Sequence, residues 1–216
     1  MRFHDRIDAG KQLADLVAEK YKGTDSVIYP LPRGGVPLGI EVARVLAMPL
    51  DLVIPRKIGH PYNPEYAICA VAETGETVCN ERELARVDKA WFEQRVAEER
   101  EESRRRRELY LAGRSPAAIE GKTAILVDDG IATGLTMRAA IKDMRARKAA
   151  RVVVAIPVVP EDTAALLARE VDDVVALSID VHYMGAVGAY YDDFSQVSDQ
   201  EVLEMMQQLD DRGLPK

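Results

Sequence analysis

The sequence predicts an α/β fold, a Rossmann-like parallel β-sheet flanked by helices, on three observations. Five short runs rich in β-branched residues, at 26–31, 50–54, 123–127, 151–156 and 173–177, are mainly apolar without clean alternation. Strands of that kind are buried on both faces. Helical patterns lie between them at 36–47, 135–148 and 162–169, so strand and helix recur in turn. That order implies right-handed crossovers, with helices covering both sides of the sheet.

The remaining segments follow in order. Residues 5–20 carry Ile7, Leu13, Leu16 and Val17 at helical spacing among charges, which predicts an amphipathic first helix. Residues 68–79, apolar on either side of Thr74-Gly75, predict a hairpin at the edge of the fold. Between them, residues 55–68 are rich in Gly and Pro and predict a long loop of the kind that closes over a site. Residues 81–112 are highly charged, with Leu84, Trp91, Val96, Leu109 and Leu111 spaced for one or two exposed helices. The Arg104 to Arg107 run has glutamates at helical spacing, so a solvated helix face explains it better than a nucleic-acid surface.

Composition sets the outer limits. With 216 residues, 47% of them apolar, the chain predicts one domain, 1–216, with ample material for a core. A net charge of −7 argues against a general nucleic-acid binder and leaves any basic pocket local. No apolar run approaches the ~20 residues that a membrane span requires. The N-terminus, Met1-Arg2-Phe3-His4-Asp5-Arg6, is charged where a signal peptide is apolar, so a cytoplasmic protein is expected. Cys69 and Cys79 are too few for a disulfide framework and read as reduced packing thiols. His4, His60 and His182 are too scattered to form a transition-metal site.

The chemistry concentrates in residues 125–136, Ile-Leu-Val-Asp-Asp-Gly-Ile-Ala-Thr-Gly-Leu-Thr. An apolar strand runs into two carboxylates, a turn of small residues and a helix. At such a turn successive backbone N–H groups point outward and the helix dipole adds positive potential, which suits a phosphate monoester. Gly130, Ala132, Thr133, Gly134, Leu135 and Thr136 form that cradle, with Gly134 allowing close approach and the threonines adding hydroxyls. Asp128 and Asp129, at the carboxyl end of the strand, suit ribose hydroxyls and a hydrated Mg²⁺.

This segment resembles the phosphoribosyl-pyrophosphate signature of the type I phosphoribosyltransferases: four apolar residues, two acids, three variable residues, then Thr-Gly-x-Thr. Every constrained position is filled. The resemblance implies that family's fold, with a hood from about 1–22, 80–120 and 180–200. It implies transfer of phosphoribose to a nitrogenous acceptor with Mg²⁺ as cofactor, and a homodimer. Pro32-Arg33-Gly34-Gly35, after the first buried strand, stands where the family keeps a strained peptide and a pyrophosphate loop, so Arg33, Gly34 and Gly35 are expected to hold pyrophosphate. Arg56 and Lys57, on the long loop, are its further cationic candidates. The Arg-Lys-x-Gly-x-Pro-x-x-Pro-Glu stretch starting there is similar to a less characterised branch, in which Cys69 replaces an expected Gly.

On the same resemblance, Asp128, Asp129, Arg33 and Lys57 are the expected catalytic residues. Tyr190, Tyr191 and Phe194 would form an acceptor hood, although aromatics so placed are equally often core anchors. The Val187-Gly188 to Asp192 spacing is similar to that of the 6-oxopurine enzymes and makes Asp192, with Asp128 and Asp129, a metal candidate. Ala132 and Gly185 stand where those enzymes keep an acid and a stacking aromatic, so hypoxanthine and guanine are expected to be poor acceptors and a pyrimidine or an uncommon amine a better one. The competing readings are a regulator that binds the same ligand without turnover and, more weakly, a phosphate-ester hydrolase using the two aspartates.

Overall fold

A computed structural model describes residues 1–211; residues 212–216, the end of the expected domain, lie outside the described residues. The chain runs α1 (Arg6–Tyr21), β1 (Ser26–Pro30), α2 (Gly35–Leu46), β2 (Arg56–His60), β3 (Asn63–Val71), β4 (Thr77–Cys79), α3 (Glu81–Leu84) and α4 (Lys89–Leu111). It continues through β5 (Thr123–Val127), α5 (Leu135–Ala146), β6 (Arg151–Pro160), α6 (Glu161–Leu167), β7 (Asp173–Asp180), a 3-10 turn (Val187–Tyr190) and α7 (Asp199–Asp211). Among the described residues no helix is long and apolar enough to cross a membrane.

The four-stranded sheet is parallel throughout, in the order β1-β5-β6-β7. Its strands show why hydrophobic alternation is absent from the sequence. In β5, Ile125 and Val127 face one helix layer, with Leu13 and Val17 of α1 and Leu38 and Val42 of α2. Ala124 and Leu126 face the other, with Met137, Ala140, Ile141 and Met144 of α5. Both sets are buried, and each large side chain so placed contributes about 1.5–3 kcal/mol.

Leu50 to Ile54, expected as a strand, is an extended border instead. It joins the sheet by one parallel bridge, Leu50 to Ile28, with Asp51 N donating to Ile28 O at 3.0 Å. Pro49 and Pro55 bracket it, and proline has no N–H to extend a ladder. With this border counted, the chain enters the sheet beside β1 on one side and leaves through β5 on the other. The strand order therefore reverses between β1 and β5, where open α/β sheets bind ligands at their carboxyl ends.

The expected long loop at 55–68 is also corrected. β2 and β3 form an antiparallel hairpin turning at Pro61 and Tyr62, with a register shift at Gly59. The next hairpin, β3 with β4, follows the sequence expectation. Its register sets Cys69 opposite Cys79, their Cα atoms 4.0 Å apart, and they form a disulfide rather than two reduced thiols. A hairpin centred on Thr74 pairs positions five either side of it, and the cysteines occupy just those positions.

Helix α4 lies along this small sheet, with Trp91, Phe92 and Val96 packed on Ile58, Cys69 and Val71. Its arginines pair within the helix as the spacing predicts: Arg105 donates to Glu102 at 2.7 Å and Arg106 to the same carboxylate at 2.7 Å. Arg107 instead turns inward to Asp51 and Glu73, at 3.0 and 2.7 Å. Helix α7 was not expected; Val202 and Met206 pack on Val36, Leu52, Ile54 and Tyr110.

Candidate functional site

At the switch point a cleft of about 410 Å³ opens between the loops that follow β1 and β5. The β5 loop supplies Asp128, Asp129, Gly130, Ala132, Thr133, Gly134 and Thr136 to its wall. Gly134 begins α5 with φ of 75°, a left-handed conformation that a side chain would disfavour. The first helical bond runs from Arg138 N to Gly134 O, so the N–H groups of the first turn have no intrahelical acceptor. Ile131 N donates to Val158 O at 3.0 Å and the Thr163 hydroxyl to Ala132 O at 3.0 Å, which fix the cradle against β6 and α6. Leu135 enters by its position in that turn, while its side chain packs against Ala70, Val78 and Ala139.

The β1 loop faces this cradle across a small gap. Its Pro32–Arg33 peptide is cis. A Cβ on Gly34 would lie 2.1 Å from Asp129 Oδ2, and one on Gly35 would lie 2.6 Å from Val127 O. The two loops thus interlock only because both positions lack side chains. Arg33 reaches the cleft wall and donates to Asp199, at the start of α7, at 3.3 Å.

Of the two cations after Pro55, Lys57 lines the cleft and Arg56 does not. The Arg56 guanidinium donates to Glu99 of α4 at 2.9 Å and serves the packing of the hairpin. The aromatic candidates also separate. Phe194 lines the cleft, whereas Tyr190 and Tyr191 are buried in the main core. The Tyr191 hydroxyl donates to the Asp129 carbonyl, so this tyrosine shapes the site from beneath. Asp192 is brought elsewhere: it is exposed, ion-paired with Arg2, and absent from the cleft wall.

Sequence reading missed Arg6, and also Gln196 and Val197, which complete the cleft. Arg6 donates to Asp129 Oδ2 at 2.8 Å and to the Ser195 carbonyl at 2.6 Å, and its guanidinium lies 3.9 Å from the centre of the Phe194 ring. At the start of an amphipathic helix it reads as one more surface charge. Only a contact across 123 residues of chain gives it a role.

Burial pushes Asp128 well above the usual carboxylate range, and the neighbouring Asp129 charge adds to the shift. Burial also raises Asp129, while Arg6 and Lys57 oppose that rise. Two adjacent buried carboxyls, one of them engaged by Arg6, form a site suited to a cation or to hydroxyl donors. Among the described residues no set of three metal-ligating side chains comes together. The donor set fits Mg²⁺ all the same, because that ion keeps several waters and takes one or two carboxylates plus phosphate oxygens rather than an all-protein cage. Asp128 is the better placed of the two, since Arg6 already engages one oxygen of Asp129.

A family model described as phosphoribosyl transferase domain matches residues 3–193. Two curated proteins from two strains of Mycobacterium tuberculosis, whose phosphoribosyl transferase designations are provisional, are each 41% identical over 206 residues. The match covers 94% of this chain but 46% of theirs, so the chain spans about half the length of those relatives. Among solved structures, the crystal structure of TT1426 from Thermus thermophilus is 42% identical and superposes with a TM-score of 0.80, covering 97% of this chain and 99% of that one.

Proposed function

The chain belongs to the phosphoribosyl transferase domain family, and from that premise we propose that it transfers the 5-phosphoribosyl group of phosphoribosyl pyrophosphate to a nitrogenous acceptor, releasing pyrophosphate. One observation carries the reading: the N-terminus of α5 and the Arg33-Gly34 loop face each other across a single cleft with Asp128 and Asp129 between them. The first is suited to the 5-phosphate, the second to pyrophosphate, and the carboxylates to the ribose hydroxyls.

In this reading the acceptor nitrogen gives its lone pair to the anomeric carbon. The carbon–oxygen bond to pyrophosphate breaks, its electron pair departs with pyrophosphate, and the acceptor's surplus proton passes to water. Positive charge then develops on the ribose and negative charge on the leaving group. Asp128 and Asp129 stand beside the first, Arg33 and Lys57 beside the second. Asp128, with Asp129, would hold a Mg²⁺ ion, which when bound neutralises pyrophosphate oxygens. Phe194, Val187 and Val197 give the cleft an apolar wall, and with substrate bound that wall would keep back water, whose attack would waste the substrate as hydrolysis.

The test is a screen of bases and small amines with phosphoribosyl pyrophosphate and Mg²⁺, scoring pyrophosphate release and, by calorimetry, binding. Asp128→Asn with Asp129→Asn is the control. It is expected to remain folded and to lose affinity for phosphoribosyl pyrophosphate by at least about 100-fold, since hydrogen bonds to charged groups are worth ~1.5–3 kcal/mol each. Undiminished affinity in that variant would remove the assignment. Tight binding with no release for any acceptor would favour a regulator that senses the ligand without turnover.

A further inference from the structure

Resting on the transfer reading, we propose that Asp199 and Tyr110 are positioning residues, which hold the Arg33 guanidinium in the orientation that receives pyrophosphate. Arg33 lines the cleft, whereas Asp199 and Tyr110 stand outside its wall. They act on the ligand through Arg33 alone.

The contact is a bridge through one atom. Asp199 Oδ1 accepts from Arg33 Nη1 at 3.3 Å and also from the Tyr110 hydroxyl. Asp199 opens α7 and Tyr110 lies at the end of α4, so two elements remote in sequence converge on one arginine. Tyr110 is 2% exposed and packs with Val202 and Met206 of α7 and with Val36 of α2, beside the Arg33 loop. Arg114, just beyond α4, donates to the Met206 carbonyl at 2.9 Å. The core thus fixes where the carboxylate sits. The Tyr110 hydroxyl, and after it Arg33, hold that carboxyl below the usual range, so it is charged at neutral pH.

An acid in the first turn of a helix and a buried tyrosine hydroxyl with a partner are ordinary structural features. The oxygen they share with Arg33 is what ties them to the site. Two opposed effects then decide the sign. An unanchored arginine forfeits up to about tenfold in affinity when a ligand orders its side chain, and an anchor already in place removes that loss. Asp199 also offsets part of the arginine's charge, but a pair exposed at 27% and 41% is worth only about two- to threefold. Orientation therefore outweighs neutralisation. The bond occupies one terminal nitrogen and leaves the rest of the guanidinium fork for phosphate oxygens.

The experiment measures, by calorimetry on the full chain, the affinity for pyrophosphate with Mg²⁺ and for ribose 5-phosphate. The unaltered protein is compared with Asp199→Ala, Tyr110→Phe, Arg33→Ala and the Arg33→Ala, Asp199→Ala double variant. Asp199→Ala is expected to weaken pyrophosphate at least about threefold while ribose 5-phosphate stays within about twofold. Tyr110→Phe, which keeps the ring in the core, should weaken pyrophosphate in the same direction. In the Arg33→Ala background the loss of Asp199 should have no further effect, since nothing remains to be positioned. A penalty that persists without Arg33, an equal loss for both ligands, no pyrophosphate binding by the unaltered protein, or unchanged or tighter pyrophosphate binding in either single variant would overturn the proposal. Release of pyrophosphate from phosphoribosyl pyrophosphate is scored separately across the acceptor screen. Its absence for every acceptor, with the expected affinities found, would sink the transfer reading and leave the positioning of Arg33 standing.

Discussion

Arg6, the first residue of α1, holds Asp129, the second acid of the β5 loop, through a hydrogen-bonded ion pair of 2.8 Å that spans 123 residues of sequence. Both side chains are mostly buried, at 12% and 14% exposure, so the pair is shielded from salt. Arg6→Ala leaves Asp129 without its cation. Because the carboxyl can take up a proton instead of remaining charged, the cost falls below the ~3–5 kcal/mol of a broken buried pair, at about 2 kcal/mol. Urea denaturation measures it; a loss below about 0.5 kcal/mol would mean that the pair is no better than a surface contact.

The acid pair gives a pH dependence of definite sign. Folding raises the pKa of Asp128 and of Asp129, so the folded chain binds more protons than the unfolded chain between the ordinary value of about 3.9 and the raised one. Their contribution to stability is fully present below the unfolded pKa and is lost as pH rises through the folded one. Binding of a cation or of ribose hydroxyls favours the ionised pair, and so releases protons wherever the pH lies below the raised values. Calorimetry of Mg²⁺ and phosphoribosyl pyrophosphate in buffers of different ionisation enthalpy should register net proton release that disappears in Asp128→Asn; proton uptake would contradict the account.

Lys57 and Arg56 should part company. Lys57 lines the cleft, so Lys57→Ala is expected to lower turnover at least tenfold, with little change in ribose 5-phosphate affinity or in melting temperature. Arg56 bonds Glu99, so Arg56→Ala should lower the melting temperature by a few degrees and leave kcat nearly intact. Steady-state kinetics beside thermal unfolding of the two variants decides, and the reverse pattern would exchange their roles.

Gly34→Ala sets a methyl group 2.1 Å from the Asp129 carboxylate. Either the loop or the acid must move, and Arg6 resists movement of the acid. The expected outcome is a folded protein with phosphoribosyl-pyrophosphate affinity reduced at least tenfold, read by calorimetry with near-UV circular dichroism as the control for packing. Unaltered affinity would show that the two loops need not interlock.

What could be read from sequence was what depends on near neighbours. The doubly buried strands, the β5 loop and the Arg33-Gly34-Gly35 turn announce themselves within a dozen residues, and the structure brings these segments together at one switch point. The border at 50–54 deceives because its burial is strand-like while its flanking prolines are not. Residues 55–68 looked like a loop because Gly59, Pro61 and Pro64 mask a hairpin that tolerates them at a register shift and at its turn. Helix α7 went unread although Val202, Met206 and Leu209 recur at helical spacing on its buried side. Tyr190 and Tyr191 could be stacking or core residues by composition alone, and only their burial decides. Asp192 followed a short spacing, whereas its partner Arg2 lies at the opposite end of the chain.

The strap that joins the ends of the fold governs when a nascent chain can acquire its cleft. Phe3 N donates to Tyr190 O and Asp192 N to Phe3 O, both at 2.8 Å, and Arg33 meets Asp199. Emerging from a ribosome at roughly 5–20 residues per second, residue 3 waits on the order of ten to forty seconds for its partner segment. The sheet through β5 can assemble during that interval with α1 packed on α2, but Phe3 still lacks the segment at 190–192 to which it bonds. Vectorial synthesis therefore makes the cleft end of the molecule the last to close.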